Sequence, residues 1–213
     1  YRPYVCLGNA VFYGKVKNFT TSGEPEEPEE SLEPDFVDLG LSVDWATYNV
    51  GTDKPEGYGN YYAWGETAPK DMYSEATYKL GGKYNDTDGK TVLDPEDDVA
   101  TVTFGDAWRI PTKEEMEELC SKCEWTEAKL NGVKGYTVKG PSGNTIFIPN
   151  TGYRVDGDLT DTWLCLGTAT AGYCLGSCRP YTDYTKDKVK EYEFVEMGTI
   201  SRYKGIAIRP VHP

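Results

Sequence analysis

Histidine is almost missing from this chain. Of 213 residues only His212, at the penultimate position, is one. Nucleophilic catalysis by a Ser–His or Cys–His pair would have a single base to draw on, placed where a tail is expected to fray, so such chemistry is close to excluded. Positive charge is scarce as well: 22 Lys and Arg stand against 35 Asp and Glu, a formal net charge of −13. Phosphate backbones and anionic lipid both call for a basic footprint, and both are disfavoured. No apolar run reaches the length that crosses a bilayer. The chain opens at Tyr1 without a signal peptide, which reads as a processed or excised piece of a longer protein.

What is abundant points to sheets and loops. There are 17 Tyr, 5 Trp and 23 Gly, with a mean hydropathy of −0.60. That mixture suits a β-rich protein with many loops better than a helical bundle, and the length allows one large domain or one domain plus a piece of another. The six cysteines are Cys6, Cys120, Cys123, Cys165, Cys174 and Cys178. Cys120 and Cys123 have redox-motif spacing but fall inside a helical pattern rather than at a helix start, where the dipole would lower a thiol pKa; they read as small core residues. A Cys165–Cys174 or a Cys174–Cys178 disulfide, or a weak zinc pair, stays open, because connectivity is not legible in spacing.

The organising stretch is GDAWRIPTKEEMEELC, residues 105–120. Thr112 followed by Glu115 is a capping box, and Met116, Leu119, Cys120 and Cys123 then share one face. This predicts a helix over about 112–123, with Glu114, Glu117, Glu118 and Lys122 solvated. So short a helix needs a sheet to pack on. Around it, residues 1–21 read as two strands about Gly8-Asn9, and residues 22–35, rich in Glu and Pro, as an extended linker. From Phe36 the apolar positions Val37, Leu39, Leu41, Val43 and Trp45 alternate with polar ones, which predicts one half-buried strand. A short strand is expected at Tyr61–Glu66, then a polar excursion from Thr67 to Asp98. Its Asn85–Gly89 segment fails the register of a calcium loop and reads as a turn. Asp97 and Asp98 are the only candidate structural-calcium ligands, and are better read as capping a turn or pairing with Arg109 or Arg209. A hairpin is expected at 133–148, with further strands at 162–166, 173–175, 191–197 and 205–211. Pro210 sets the end or an edge of the last.

Six separated motifs recur in a fixed order: Val37-Asp38-Leu39-Gly40-Leu41-Ser42-Val43 with Trp45-Ala46-Thr47 and Asn49-Val50-Gly51; Ala63-Trp64-Gly65-Glu66-Thr67; Asp97-Asp98-Val99-Ala100; Trp108-Arg109-Ile110-Pro111-Thr112; Pro149 with Gly152-Tyr153-Arg154; and Arg202-Tyr203 with Gly205 and Arg209-Pro210-Val211. In this order they resemble the major paralogous domain family first described in Fibrobacter succinogenes and abundant in Bacteroidota surface proteins. The resemblance covers about residues 36–213. Tyr4-Val5 and Tyr13–Thr21 are similar to the last hairpin of a fibronectin type III-like domain, which assigns 1–21 to that module, 22–35 to the linker and 36–213 to the main domain.

The first resemblance implies an α+β, C-type-lectin-like fold with mixed, mostly antiparallel sheets and one capped helix, the strand at 37–45 lying near 205–211. It implies export to the outer-membrane surface or beyond, often in a lipoprotein or adhesin. Trp108, Arg109, Thr112, Glu115 and Arg209 then carry structural roles. By similarity to the variable proteins of diversity-generating retroelements, the stretch before the last strand faces a ligand. Together with the loop aromatics this nominates Arg179, Tyr181, Tyr184, Tyr192, Arg202 and Tyr203, since rigid aromatics give contact area at low entropic cost.

The expected function is non-catalytic recognition of a glycan or a host or bacterial surface protein, without cofactor or metal; calcium-dependent sugar binding lacks its ligand motifs. The runners-up are a structural subunit or tip of a surface fibre, and an oxidase related to formylglycine-generating enzyme. The latter would need a copper-binding cysteine pair, and the sequence around Cys165, Cys174 and Cys178 does not match it.

Overall fold

The computed structural model describes residues 33–160, 163–178, 182–183, 188–189 and 194–213, and, nearer the N-terminus, residues 4–7 and 10–13. The chain divides into two units, Tyr1–Ser31 and Leu32–Pro213. In the first, strands Tyr4–Leu7 and Ala10–Tyr13 pair antiparallel, Leu7 opposite Ala10, as the sequence predicts. Most of the expected linker lies outside the described residues.

The second unit is mixed α and β, with many short strands and few helices. A seven-stranded sheet runs in the order Asp158–Leu159, Tyr153–Val155, Gly205–Ala207, Cys165–Gly167, Tyr173–Cys178 and Phe194–Thr199, with Tyr61–Tyr62 also paired to Gly205–Ala207. Its one parallel contact joins Cys165–Gly167 to Gly205–Ala207. Strands Glu124–Leu130, Val133–Lys139 and Thr145–Pro149 form a meander. A third sheet sets Asp44–Ala46 between Val211–His212 and Phe36–Val37. Leu39, Trp45, Met116, Leu119, Ile148, Leu166 and Val211 meet in the main core. Among the described residues no helix is long and apolar enough to cross a membrane.

Helix α1 spans Val99–Phe104 and α2 spans Lys113–Lys122. The expected helix is α2, and its capping box forms: Glu115 N–H donates to Thr112 Oγ1, and Thr112 N–H to Glu115 Oε2 at 2.8 Å. Met116 and Leu119 are fully buried, Cys120 and Cys123 half-buried. Glu118, expected in solvent, instead accepts from the Ser42 N–H and hydroxyl.

The fold corrects several expectations. The run at 37–45 is not one strand. It is the two arms Phe36–Val37 and Asp44–Ala46, which pair with each other. Gly40, at φ +75°, turns the chain between them, where an added Cβ would meet Ser142 N at 2.8 Å. The alternation still buries Leu39, Val43 and Trp45, because a bent loop over the core serves the same positions. The expected strand at 61–66 keeps only Tyr61–Tyr62, and the last strand breaks into Gly205–Ala207 and Val211–His212, in different sheets. Only Val211–His212 lies beside the 44–46 arm. Helix α1 and strand Glu124–Leu130 were not anticipated, so α2 is not the sole helix. His212 is no frayed tail: its ring stacks on Phe36 at 4.7 Å and stands edge-on to buried Trp108 at 5.3 Å.

Asp98 caps α1, its Oδ1 accepting from Ala100 and Thr101 and its Oδ2 from Ile110 N–H at 2.8 Å. Asp97 holds Lys83 and the Tyr84 hydroxyl. Asp98 thus takes the capping alternative, and neither carboxylate pairs with Arg109 or Arg209. Arg109 forks onto Glu115, and among the described residues Arg209 finds only neutral acceptors. Asp88 closes the 85–89 turn by accepting three main-chain N–H bonds.

Candidate functional site

The strand Tyr153–Val155 supplies two clefts, because successive side chains of a strand point to opposite faces. Tyr153 lines one cleft and Arg154 the other. The first has a volume of about 390 Å³, and its walls include Tyr153, Trp163, Thr160, Ile200 and Lys204. The Lys204 ammonium sits 4.3 Å from the centre of the Tyr153 ring, a cation–π contact that fixes both at the rim. Cys165 and Cys174, nearly fully buried, form part of its floor.

The second cleft, about 380 Å³, is bounded by Asn60, Tyr61, Lys70, Asp71, Tyr73 and Arg154. Arg154 lies over the Tyr61 ring at 5.1 Å. The tyrosines there are committed to the fold. Tyr73 hydroxyl donates to Tyr61 C=O, and Tyr61 hydroxyl to Thr151 C=O. Burial pushes the Tyr61 phenol up to about 12, so it is a neutral donor throughout the physiological range. Lys70 is held by Glu66 and by Thr77 C=O. The two clefts differ accordingly: the first offers rings, hydroxyls and a cation, the second a guanidinium, an amide and a carboxylate over packed phenols.

Of the six residues expected to face a ligand, Arg179, Tyr181, Tyr184 and Tyr192 lie outside the described residues. Arg202 and Tyr203 are half-buried. Arg202 covers the Trp64 ring at 5.0 Å and donates to Tyr84 C=O at 2.7 Å and to Lys83 C=O. It thereby clamps the 67–98 excursion onto the sheet. The turn holding Tyr203 is closed by Lys204 N–H donating to Ser201 C=O, and this brings Lys204 to the first cleft. Sequence reasoning missed Lys204, Trp163 and Arg154 as cleft residues. The available signal was the Gly152-Tyr153-Arg154 motif, whose adjacent aromatic and cation must face opposite ways on a strand.

The structural residues sit as follows. Trp108 is buried among Phe36, Phe104 and His212. Burial alone would raise the Glu115 carboxyl, but Arg109 and the Thr112 N–H outweigh it and hold it below its ordinary value; the same pair raises Arg109. Arg209 is wholly buried. Its Nε donates to Asn49 Oδ1 at 2.7 Å and its two terminal nitrogens to Ala46 C=O and Phe147 C=O, while burial lowers it to about 9. Among the described residues no group of three or more His, Cys, Asp or Glu gathers to hold a metal ion. Compared with protein-family models, curated proteins and solved structures, the chain matches none of them.

Proposed function

We propose that this chain carries a C-type-lectin-like recognition module of the major paralogous domain kind. In this reading it is exported to a bacterial cell surface, held there through upstream sequence, and binds a glycan or a surface protein without catalysis. The observation that carries the reading is the cleft of Tyr153, Trp163, Thr160, Thr199 and Lys204. It is concave, has aromatic walls and a few convergent polar groups, and includes Thr199 and Ile200 of the stretch that the family resemblance turns toward a ligand. Rings present flat apolar area to a pyranose or a peptide side chain, while the Thr199 hydroxyl and the Lys204 ammonium orient its polar groups, the Thr160 hydroxyl being held by the Tyr153 main chain. The pairing of Val211–His212 with the 44–46 arm agrees with the expected closeness of first and last strands. The single histidine, packed between Phe36 and Trp108, lines neither cleft.

The test is a glycan and mucin array probed with the whole chain, with and without EDTA, followed by affinity measurements on variants. Trp163→Ala and Lys204→Ala are each expected to weaken a specific hit at least tenfold, a loss of about 1.4 kcal/mol or more, with EDTA having no effect. The triple change Tyr181→Ala, Tyr184→Ala and Arg202→Ala reports on the loop face. A hit that neither set weakens would reject the site, and a hit lost in EDTA would reject the metal-independent reading.

A further inference from the structure

The floor of the aromatic cleft carries a feature that ligand recognition does not use. Strand Cys165–Gly167 pairs antiparallel with Tyr173–Cys178, setting Cys165 opposite Gly176 and Gly167 opposite Cys174. The two cysteines are diagonal neighbours on one face and share a small buried cluster with Ile206. On its other side Cys174 faces Gly198 of the strand Phe194–Thr199. A Cβ built on Gly198 would stand 3.9 Å from the Cys174 sulfur. Cys174 therefore has glycine across from it on both neighbouring strands, whereas Cys165 has glycine on one side only and the strand Gly205–Ala207, with buried Ile206, on the other.

Their surroundings divide the work between them. The neighbouring Cys165 thiol holds Cys174 below an ordinary thiol, while Cys174 and burial together raise Cys165 well above one; the Lys204 ammonium favours the thiolate at both. Cys120 and Cys123 have the opposite setting. Burial raises both, Cys123 to about 11, with the carboxylates Glu196 and Glu117 near Cys120 and Glu118 near Cys123 adding to it. Cys120 also donates to Val195 C=O.

We propose that Cys165 and Cys174 are a reactive dithiol that exchanges with low-molecular-weight disulfides entering by the cleft, Cys174 attacking and Cys165 resolving. The Cys174 thiolate forms a bond to one sulfur of the reagent RSSR, the RS–SR bond breaks, and RS⁻ leaves and takes a proton from water. Cys165 then releases its proton to solvent and attacks the Cys174 sulfur, and the second RS⁻ leaves and is protonated. Two protein thiols are oxidised to one disulfide, and RSSR is reduced to two RSH. The exchange chemistry does not rest on the recognition reading, although both use the same cleft.

The experiment treats the whole reduced chain with oxidised glutathione, quenches with acid and maps the peptides by mass spectrometry. The expected product has lost two hydrogens and links Cys165 to Cys174. Cys165→Ser is expected to stop at a single glutathione on Cys174, and Cys174→Ser to leave Cys165 unmodified over the same period. Lys204→Gln should slow the first step severalfold. A first adduct or linkage at Cys6, Cys120, Cys123 or Cys178 would overturn the proposal, as would a wild-type chain that halts at the Cys174 adduct. The wild-type map needs no substitution, so a variant that misfolds leaves the test intact.

Discussion

Arg209 shows how much one residue organises here. A guanidinium wholly out of water normally takes a carboxylate, and the sequence reading expected one. This one instead spreads its donors over Asn49 Oδ1 and the carbonyls of Ala46 and Phe147. Asn49 in turn donates to Tyr58 C=O. One planar fork thus joins the 44–46 arm, the loop after it and the meander. Arg209→Lys cannot reproduce that fork. It is expected to cost about 3 kcal/mol, since it abandons charge-assisted bonds and leaves buried acceptors unpaired; urea unfolding measures it. Glu118 gives a pH signature. Lys122 and the Ser42 hydroxyl and N–H hold its carboxyl down at about 2, against an ordinary 4.5. A depressed carboxyl stabilises the fold fully above its ordinary value, and that contribution disappears as pH falls through about 4.5 toward about 2. Glu118→Gln should therefore flatten part of the stability loss in that window and leave the slope above it unchanged.

At the scale of elements, the two helices show what local chemistry can and cannot announce. Helix α2 was legible because Thr112 and Glu115 write a capping box next to an apolar stripe, all within a dozen residues. Thr112→Ala is expected to cost about 1 kcal/mol, read from the urea midpoint. Helix α1, VATVTF, is rich in β-branched residues and has no helical signature of its own. Its start depends on Asp98, which also accepts from Ile110 N–H on the far side of a turn. Asp98→Asn would present an amide N–H to one of those donors, and a loss of about 2 kcal/mol is expected. The strand Glu124–Leu130 was missed for a related reason. Its half-buried positions, Trp125, Ala128 and Leu130, do not keep a period of two, and seven residues opposite on Val133–Lys139 hold it in place.

For the whole molecule, the closing contacts come from the far end of the chain. Val211 pairs with Trp45 and exchanges both main-chain bonds with Arg109, while Ile208 C=O accepts from Val50 N–H. Deleting residues 208–213 would remove Arg209 as well as these bonds. It is expected to abolish cooperative unfolding altogether rather than fray one edge, which near-ultraviolet circular dichroism would register. The same closure brings Lys204 and Ile200 to the cleft beside Tyr153 and Trp163, residues about 40 to 50 positions earlier in the chain.

The sequence by itself determined the α+β class, the capped helix, the 133–148 hairpin and the buried positions Leu39, Val43, Trp45, Met116, Leu119, Ile206 and Ile208. Each of these follows from short-range periodicity, capping and turn chemistry. Tertiary structure alone decided which partner each buried polar group found. Arg209 took carbonyls, Arg109 took Glu115, Glu118 took Ser42, and Arg202 became a clamp on the 67–98 excursion rather than a free surface cation. It also decided that 37–45 would bend, because Ser142 N–H donates to Leu39 C=O and the Ser142 hydroxyl and Asn144 amide to Asp38 C=O, from a hairpin a hundred residues away. The physical reason is common to all of these. Local propensity is set by neighbours within a turn or two, whereas a cleft or a buried charge is completed by groups that meet only when distant strands are brought together.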